Sequence, residues 1–279
     1  AEIQVLRELG VEIRCGVEVG KDVTIPQLRE LGYLAFYVAI GCQGGRLPGV
    51  PGETAKGTDI AVHFLHEALA DETQRMEGSV VVVGGGNVAI DCARTAVRFG
   101  AEKVSMVCLE SRETMPAAKD EIAEAEEEHV EICAAWGPQE LLQDESGHVT
   151  AVVFKKCLRT IDPETGRFSP VYDESETITI PADHVVFAIG QAIEWGSLLQ
   201  DTKVEFHRGN YPVADPLTYQ TAEEDIFVGG DVDHGPKFVI DAIEEGKCAA
   251  ESLHRYVHKG ADLKIGRNRR DFIMLDKEN

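Results

Sequence analysis

The stretch VVVGGGNVAIDCARTAVRFGAEKVSMVCLESRETMPA, residues 81–117, contains the pattern Gly84-x-Gly86-x-x-Ala89. The valine run at 80–83 predicts a short parallel strand that is buried on both faces. A stretch with apolar side chains at helical spacing follows the glycines, and a second apolar strand follows that helix. A strand, a glycine turn, a helix and another strand, in this order, predict a nucleotide-binding βαβ unit.

Each small residue of the pattern has a physical role. Gly84 permits the tight turn out of the strand, Gly86 lets a pyrophosphate approach the backbone, and Ala89 lets the helix pack closely on the sheet. The free N–H groups at the start of the helix would face the phosphates. Gly100 ends the helix, and residues 102–109 form the predicted second strand.

Length, composition and charge exclude several classes of protein. The 279 residues are enough for one large domain or two ordinary ones, and 43% hydrophobic residues are typical of globular proteins. We expect no signal peptide and no membrane span, because the chain has no apolar run of about 18 residues. The formal net charge of −22 disfavours nucleic acid and anionic membranes as partners.

The cysteine and histidine pattern predicts no metal site. Single, dispersed cysteines without a CxxC motif offer no local zinc, iron–sulfur or dithiol motif, and they indicate reduced thiols in the cytoplasm. His63 and His66 lie three residues apart on a predicted helix, and we interpret them as packing or solvent-facing residues. The seven cysteines are Cys15, Cys42, Cys92, Cys108, Cys133, Cys157 and Cys248.

Hydrophobic periodicity and turn residues predict the remaining elements. Helices are expected at 1–10, 24–31, 59–70, 120–131 and 236–258. Strands are expected at 11–19, 33–40, 149–159, 177–180, 185–189 and 226–230. A polar hairpin connection containing Asp162–Gly166 joins two of these strands, and Pro236 is placed in the first turn of the last helix.

Five stretches together make the chain resemble a known family. They are AIGCQGGRLPGVPGE (39–53), VVVGGGNVAIDCAR (81–94), SRETMPA (111–117), VVFAIGQ (185–191) and DIFVGGDVDHGPKFVIDAIEEGKCAA (225–250). The chain resembles the flavin-dependent pyridine nucleotide oxidoreductases, and most closely the glutamate synthase small-chain group. The resemblance implies an α/β, Rossmann-like flavoprotein with two dinucleotide-binding domains, in which the NAD(P) domain is inserted into the FAD domain.

The resemblance also implies domain boundaries. Residues 1–75 would be a remnant of the FAD domain with its crossover, 76–187 the NAD(P)-binding domain, 188–260 the C-terminal part of the FAD domain, and 261–279 a tail. The sequence has no second G-x-G-x-x-G/A pattern. We therefore expect an incomplete FAD domain, a longer natural protein, and weak or no FAD binding by this chain alone.

The flavin site is expected around the Gly-Gly-Asp strand end. The resemblance implies that Asp231 accepts a hydrogen bond from the FAD ribityl chain, and a helix starting at Pro236 would aim its N–H groups at the flavin. The alternative is a plain turn aspartate, and Asp233 with His234 also suggests a metal. The residues assigned to cofactor binding there and at the crossover are Gly41, Gly190, Gly230, Asp231 and Val239.

The nucleotide site is expected to include more than the glycine pattern. The resemblance implies that Asp91 approaches the nicotinamide carboxamide, whereas the alternative is an ion pair with Arg94 on an exposed helix face. The residues assigned to the glycine turn are Gly84, Gly85, Gly86, Asn87 and Val88.

The end of the second strand decides between NAD and NADP. An acid there binds the ribose 2′-hydroxyl, and arginines bind a 2′-phosphate. Similar proteins carry an arginine pair where Leu109 and Glu110 stand in this sequence. We therefore predict NADH over NADPH, although Arg112 could swing toward a phosphate.

The predicted reaction is hydride transfer between NAD(P)H and FAD, which needs positioning and no catalytic side chain. Without CxxC, electrons would pass to iron–sulfur centres or a partner subunit. The competing hypothesis is a nicotinamide-nucleotide-binding module without flavin or activity. The basic residues Arg267, Arg269 and Arg270 are expected to pair with the acidic body of the protein.

Overall fold

A computed structural model describes residues 2–71, 73, 75–207, 209–258 and 260–267. The chain divides into two compact units. One consists of Ala1–Cys42 with Ile193–Asn279, and the other of Gln43–Ala192. The boundaries predicted at residues 75 and 187 separate regions by the cofactor that each would bind. The division into compact units does not test that assignment, so these boundaries stay a prediction.

Along the described chain, helices and strands alternate from α3 to β6, whereas the strands β6 to β12 follow one another without a helix between them. The helices are α1 Glu2–Glu8, α2 Ile25–Glu30, α3 Ala61–Ala70, α4 Asn87–Arg98, α5 Lys119–Glu127, α6 Asp231–His234 and α7 Val239–Val257, with a 3₁₀ turn at Arg112–Thr114. The strands are β1 Phe36–Val38, β2 Gly44–Gly45, β3 Thr58–Ile60, β4 Ser79–Val83, β5 Lys103–Cys108, β6 Glu131–Ala134, β7 Trp136–Gln143, β8 Val149–Ile161, β9 Phe168–Pro181, β10 His184–Phe187, β11 Gln191–Ala192 and β12 Ile226–Val228.

A five-stranded parallel sheet in the order β3-β10-β4-β5-β6 organises the unit Gln43–Ala192. Its central strand carries the valine run, and alternate valines serve two different cores. Val80 and Val82 pack with α3, α4 and α5, while Val81 and Val83 pack with β7 and β8. Burial on both faces explains why this strand is uniformly apolar rather than alternating.

The second layer of this unit is the antiparallel sheet β7-β8-β9. The predicted polar hairpin is confirmed, and its strands are longer than expected. Asp162 Oδ1 accepts hydrogen bonds from the N–H groups of Glu164 and Thr165, each at 2.9 Å, which fixes the turn between β8 and β9.

The unit formed by 1–42 and 193–279 contains the parallel pair β1 and β12. Its core includes Ile25, Val38, Val228 and Val232. Helix α7 packs on this pair. As a result, Ala249 and Ser252 of α7 face inward and have no exposed surface.

Three sequence-based assignments are wrong. Residues 11–19 form no strand, since Gly16 adopts φ +69° and the segment pairs only through one bridge at Val19. The helix predicted to reach 131 ends at Glu127, because His129 adopts φ 66° and the chain then enters β6. The last helix starts after Pro236, as described below.

Among the described residues, no helix is long and apolar enough to cross a membrane.

Candidate functional site

The turn between β4 and α4 has the geometry that its glycines predict. Gly84 adopts φ +149°, and a side chain there would collide with the carbonyl oxygen of Ala188. Gly86 caps α4 with φ −97° and ψ 177°, and no protein atom lies within 4 Å of the place a Cβ would occupy. The first glycine therefore serves the fold, while the space beside Gly86 is open to a ligand.

Gly85 faces the end of the neighbouring strand. A Cβ on Gly85 would lie 2.9 Å from Cys108 Cβ and 3.0 Å from Glu110 Oε2. The carboxylate of Glu110 thus lies directly against the glycine turn, and its predicted contact with a ribose stays a prediction.

The segment after the 3₁₀ turn is tied to the same glycines. The N–H of Ala117 donates to Gly85 O at 3.1 Å, and the N–H of Ala118 donates to Asn87 Oδ1 at 2.8 Å. The Asn87 side chain therefore supports the loop that follows β5. Val88 is half-buried against the α3–α4–α5 core.

Asp91 lies one helical turn beyond Asn87. The restricted access of water raises its pKa, and the charges of Arg94 and Arg98 oppose that shift. Arg94 does not satisfy the alternative prediction of an ion pair with Asp91, because it binds Glu124 at 2.5 Å and Glu128 at 2.8 Å instead. Asp91 therefore lies at the surface of α4 without this ion pair, although neighbouring protein atoms still partly shield its carboxyl group from water.

Arg112 is already engaged within the protein. Its Nη2 lies 2.6 Å from Glu126 Oε1, and its Nη1 lies 3.7 Å from Met115 Sδ. Leu109 packs against Gly137, where a Cβ would lie 2.7 Å from the Leu109 Cδ2 atom. Of Leu109, Glu110 and Arg112, it is therefore Glu110 that approaches the glycine turn.

A second strand-to-helix turn lies at the end of β12. Gly230 adopts φ 70° and ψ −151°, a conformation essentially reserved for glycine. Asp231 Oδ1 accepts a hydrogen bond from the N–H of Lys237 at 3.2 Å. This carboxylate stabilises the connection between α6 and α7, so the simple turn role is present in the structure.

A cavity of about 280 Å³ opens beside this turn. Tyr37 and Phe238 line this cavity. Four of the residues predicted to bind a cofactor line it as well, namely Gly41, Gly230, Asp231 and Val239. The structure therefore gathers residues that are nearly 200 positions apart in the sequence. Gly190 belongs to the other unit, where its carbonyl accepts a hydrogen bond from the N–H of Arg46 at 3.1 Å.

The helix beside the cavity starts later than predicted. Residues 231–234 form the separate turn α6, and Pro236 lies in the connection that follows. Helix α7 begins at Val239, and Asp241 Oδ2 accepts from the N–H of Phe238 at 3.2 Å. The N–H groups that would face the cavity are thus those of the first turn at Val239, not at Pro236.

Two groups of acids and histidines lie close together, one on and just before α3 and the other on α6 and α7. His63 contacts Asp59 at 2.8 Å and Glu67 at 3.4 Å, so further polar atoms do lie nearby, against the sequence-based expectation. The hydrogen bond that the His63 ring makes to the Asp59 carboxylate raises the pKa of His63, as in a surface ion pair. The second group is Asp233, His234 and Glu245.

The basic tail residues were expected to pair with acids. Arg267 Nε lies 3.8 Å from Glu251 Oε2, and its Nη2 donates to the carbonyl of Cys248 at 2.7 Å. Arg269 and Arg270 lie outside the described residues.

Sequence reasoning missed Glu245, Tyr37 and Phe238. Glu245 is buried behind the Gly230 turn, and Tyr37 and Phe238 form the walls of the cavity. A glutamate within an amphipathic helix carries no periodicity signal that distinguishes it from its half-buried neighbour Glu244.

The parallel sheet and the two glycine turns define an α/β protein of the Rossmann-like, dinucleotide-binding type. Residues 3–246 match the pyridine nucleotide-disulphide oxidoreductase family, and the chain belongs to that family. Membership implies the cofactors FAD and NAD(P), and the sequence-based identification of the class is confirmed.

Several curated proteins are similar over most of the chain. The β subunit of the NADP(+)-dependent formate dehydrogenase of Moorella thermoacetica is 36% identical, over 93% of this chain and 36% of that protein. The glutamate synthase [NADPH] small chain of Azospirillum brasilense is 30% identical, over 94% of this chain and 57% of that protein. The chain thus spans between about a third and somewhat over half of these relatives.

Solved structures show the same fold. Mycobacterium tuberculosis FprA in complex with NADPH has a TM-score of 0.65 at 17% identity, covering 87% of this chain and 67% of that chain. The thioredoxin reductase of T. acidophilum has a TM-score of 0.59 at 20% identity, covering 80% and 65%.

Proposed function

We propose that this chain is the portion of an oxidoreductase that transfers hydride between NAD(P)H and FAD. The observation that carries the proposal is the cavity at the end of β12, which joins Gly41, Gly230, Asp231 and Val239. A module that bound only a nicotinamide nucleotide would have no use for these residues, and family membership does not favour that alternative.

The residues at both turns fit the groups assigned to them. The open space at Gly86 and the start of the twelve-residue helix α4 suit a pyrophosphate. The cavity at Gly230 has aromatic and apolar walls with two charged side chains, Asp231 and Lys237, which suits a flat ring system joined to a hydroxylated chain. The bound flavin would supply the hydride-accepting chemistry.

The protein's own contribution is positioning. In the proposal, Gly84 and Gly86 shape the phosphate-binding turn, and Asp231 accepts from a hydroxyl of the ribityl chain. Tyr37 and Phe238 limit the access of water to the cavity. We assign no side chain as acid or base, since hydride transfer itself needs none.

Electrons would leave the flavin toward iron–sulfur centres or a partner subunit. The sequence contains no CxxC motif that could serve as a local disulfide acceptor. Two relatives are themselves named as β subunits, of a formate dehydrogenase and of an NADPH-Fe(3+) oxidoreductase. A reducing compartment such as the cytoplasm suits the singly dispersed cysteines.

The proposed nicotinamide substrate is NADH rather than NADPH. Glu110 Oε2 lies 3.0 Å from the Cβ position of Gly85, and Arg112 is bound to Glu126. A carboxylate at this place accepts from a 2′-hydroxyl and repels a 2′-phosphate. Several relatives carry NADPH in their names, so the proposal sets this chain apart from them.

The test uses the purified protein at its natural length, loaded with FAD. We expect NADH to support reduction of an artificial electron-accepting dye, with no reduction when the nucleotide is omitted. The ratio of the dissociation constants for NADPH and NADH, measured at one fixed salt concentration, should exceed one. Absence of any nucleotide-dependent dye reduction would contradict the proposed activity, and tighter binding of NADPH would contradict the proposed preference.

A further inference from the structure

A buried carboxylate lies directly behind the turn that ends β12. Glu245 on α7 is only 7% exposed, and its Oε2 accepts a hydrogen bond from the N–H of Gly230 at 2.6 Å. A hydrogen bond from a backbone amide to a charged oxygen is among the stronger kinds in proteins. Glu245 is thus the partner that fixes the orientation of this peptide group.

The Gly230 peptide needs such a partner. Its φ of 70° and ψ of −151° lie in a region that glycine reaches without steric strain, so hydrogen bonds rather than side-chain sterics fix the orientation of this peptide. Gly230 and its neighbour Asp231 both line the cavity, so the orientation of this peptide sets the shape of the cavity wall.

Charged groups on α6 and on the connection between α6 and α7 lie around Glu245. His234 Nδ1 lies 3.4 Å from Glu245 Oε1 and Lys237 Nζ lies 4.0 Å from it, while Asp233 binds the same imidazole at 2.7 Å. Burial raises the pKa of Glu245, and the Gly230 N–H and His234 oppose that shift.

Two phenols also face this carboxylate. Burial first, and then the charges of Glu245 and its neighbours, raise the pKa of Tyr37 and of Tyr219 to about 12. The Tyr37 hydroxyl lies against Gly229, where a Cβ would collide with it. The carboxylate therefore acts on the wall of the cavity as well as on the turn.

We propose that Glu245 is a positioning residue for the flavin, which holds the Gly230 peptide in place and keeps a negative charge behind the cavity wall. The proposal rests on the function proposed above. It has two separable consequences. Loss of the acceptor oxygen weakens flavin binding, and loss of the charge makes flavin reduction easier, because reduction adds negative charge to the same region.

Two substitutions separate these consequences in the FAD-loaded protein at its natural length. Glu245→Gln keeps an acceptor oxygen for Gly230, so its dissociation constant for FAD should stay within about threefold of wild type. Its flavin midpoint potential should become more positive. A tenfold gain in the preference for reduced over oxidised flavin would appear as a shift of about 30 mV.

Glu245→Leu removes both the acceptor and the charge. Its affinity for FAD should fall by about tenfold or more, which corresponds to about 1.4 kcal/mol. Glu251→Gln is the matched control on the same helix, since Glu251 pairs with Arg255 and Arg267 and does not line the cavity, and it should change neither quantity. Thermal melting shows whether each variant folds, and if Glu245→Leu does not, the potential of Glu245→Gln decides alone.

Wild-type affinity and wild-type potential in both Glu245 variants would overturn the proposal, provided that the wild-type protein binds FAD. Failure of the wild-type protein to bind FAD is a different result. It would overturn the proposed function itself, and the role of Glu245 with it.

Discussion

The turns at Gly84–Gly86 and Gly229–Asp231 both lead from a parallel strand toward a helix, yet their glycines face different surroundings. Gly86 opens into free space, and α4 begins at the next residue. Gly230 is bound to Glu245, and the short helix α6 separates it from α7. The first turn exposes bare backbone N–H groups, whereas the second presents a peptide held from behind by a carboxylate.

The helices that follow the two turns also differ in how strongly their apolar side chains are buried. Helix α4 buries Ala89, Ala93 and Ala96 completely against the sheet. Helix α7 begins with Phe238 and Val239 exposed by 75% and 77%. The first turn is therefore suited to a charged pyrophosphate and the second to an apolar ring, because an exposed apolar group indicates a surface that is covered when a ligand is bound.

The largest effect is expected at Gly86. Gly86→Val should weaken NADH binding by roughly 100-fold or more, or about 3 kcal/mol, because the side chain fills the space of the pyrophosphate. The fold should survive, since no protein atom lies within 4 Å of that Cβ. Titration calorimetry with NADH provides the measurement, and FAD binding should stay unchanged.

The neighbouring glycine provides the contrast for this variant. Gly84→Ala places a methyl group against the Ala188 carbonyl at φ +149°, so it should lower the melting temperature instead. Unchanged NADH affinity in Gly86→Val would show that the first turn is not the nucleotide site.

A smaller effect is expected at the end of β5. Replacing Leu109 and Glu110 together by arginine should move the ratio of the NADPH and NADH dissociation constants toward NADPH by roughly 10- to 100-fold. Arg112→Ala is the control, and it should change little because Arg112 is bound to Glu126. A large loss of NADPH affinity in that control would identify Arg112 as the phosphate ligand.

At the second turn, Asp231→Ala should weaken FAD binding by roughly tenfold, through loss of one charge-assisted hydrogen bond. NADH affinity should be unaffected, which separates the two turns. Fluorescence titration of FAD measures the effect. Parallel losses of FAD and NADH affinity would indicate a general folding defect rather than a role in the cavity.

The smallest effect concerns stability alone. Asp183 Oδ2 accepts from the N–H and hydroxyl of Ser79 at 2.7 and 3.0 Å, which ties the start of β4, and these bonds lower the pKa of Asp183. Asp183→Ala should reduce the free energy of unfolding at pH 7 by about 1 kcal/mol.

The pH dependence of that difference has a defined sign. A carboxylate whose pKa is lowered in the folded state stabilises above its unfolded pKa of about 3.9, and the stabilisation is lost as the pH falls through the folded pKa. Urea unfolding at neutral pH and near pH 2.5 measures it. A difference that persists in acid would show that the Asp183 charge is not the cause.

The sequence predicts the first turn far better than the second. The valine run, Gly84, Gly86 and Gly100 place β4, α4 and β5 within one or two residues of their observed bounds, because a strand buried on both faces and a helix between glycines leave strong local signals. The parallel strand β6 and the antiparallel strand β7 were missed, since helix α5 ends just before His129, a residue that gives no glycine or proline signal.

The second turn depends on contacts that are distant in sequence. Tyr37 and Gly41 line the same cavity as Gly230, although nearly 200 residues separate them in the sequence. No local sequence pattern predicts a contact between such distant residues. Pro236 suggested the start of a helix because proline is common in first turns, but α6 intervenes. Burial of Glu245 depends on the packing of α7 on the β12 turn, which periodicity alone does not reveal.

The proposed reaction is hydride transfer from a nucleotide at the first turn to a flavin at the second. Single-turnover mixing of NADH with the FAD-loaded protein under anaerobic conditions tests it most directly, followed through the flavin absorbance near about 450 nm. The wild-type protein should bleach in proportion to its flavin content, whereas Gly86→Val should retain its flavin and stay oxidised. Bleaching of Gly86→Val at the wild-type rate, or no bleaching of the flavin-loaded wild-type protein, would contradict the account.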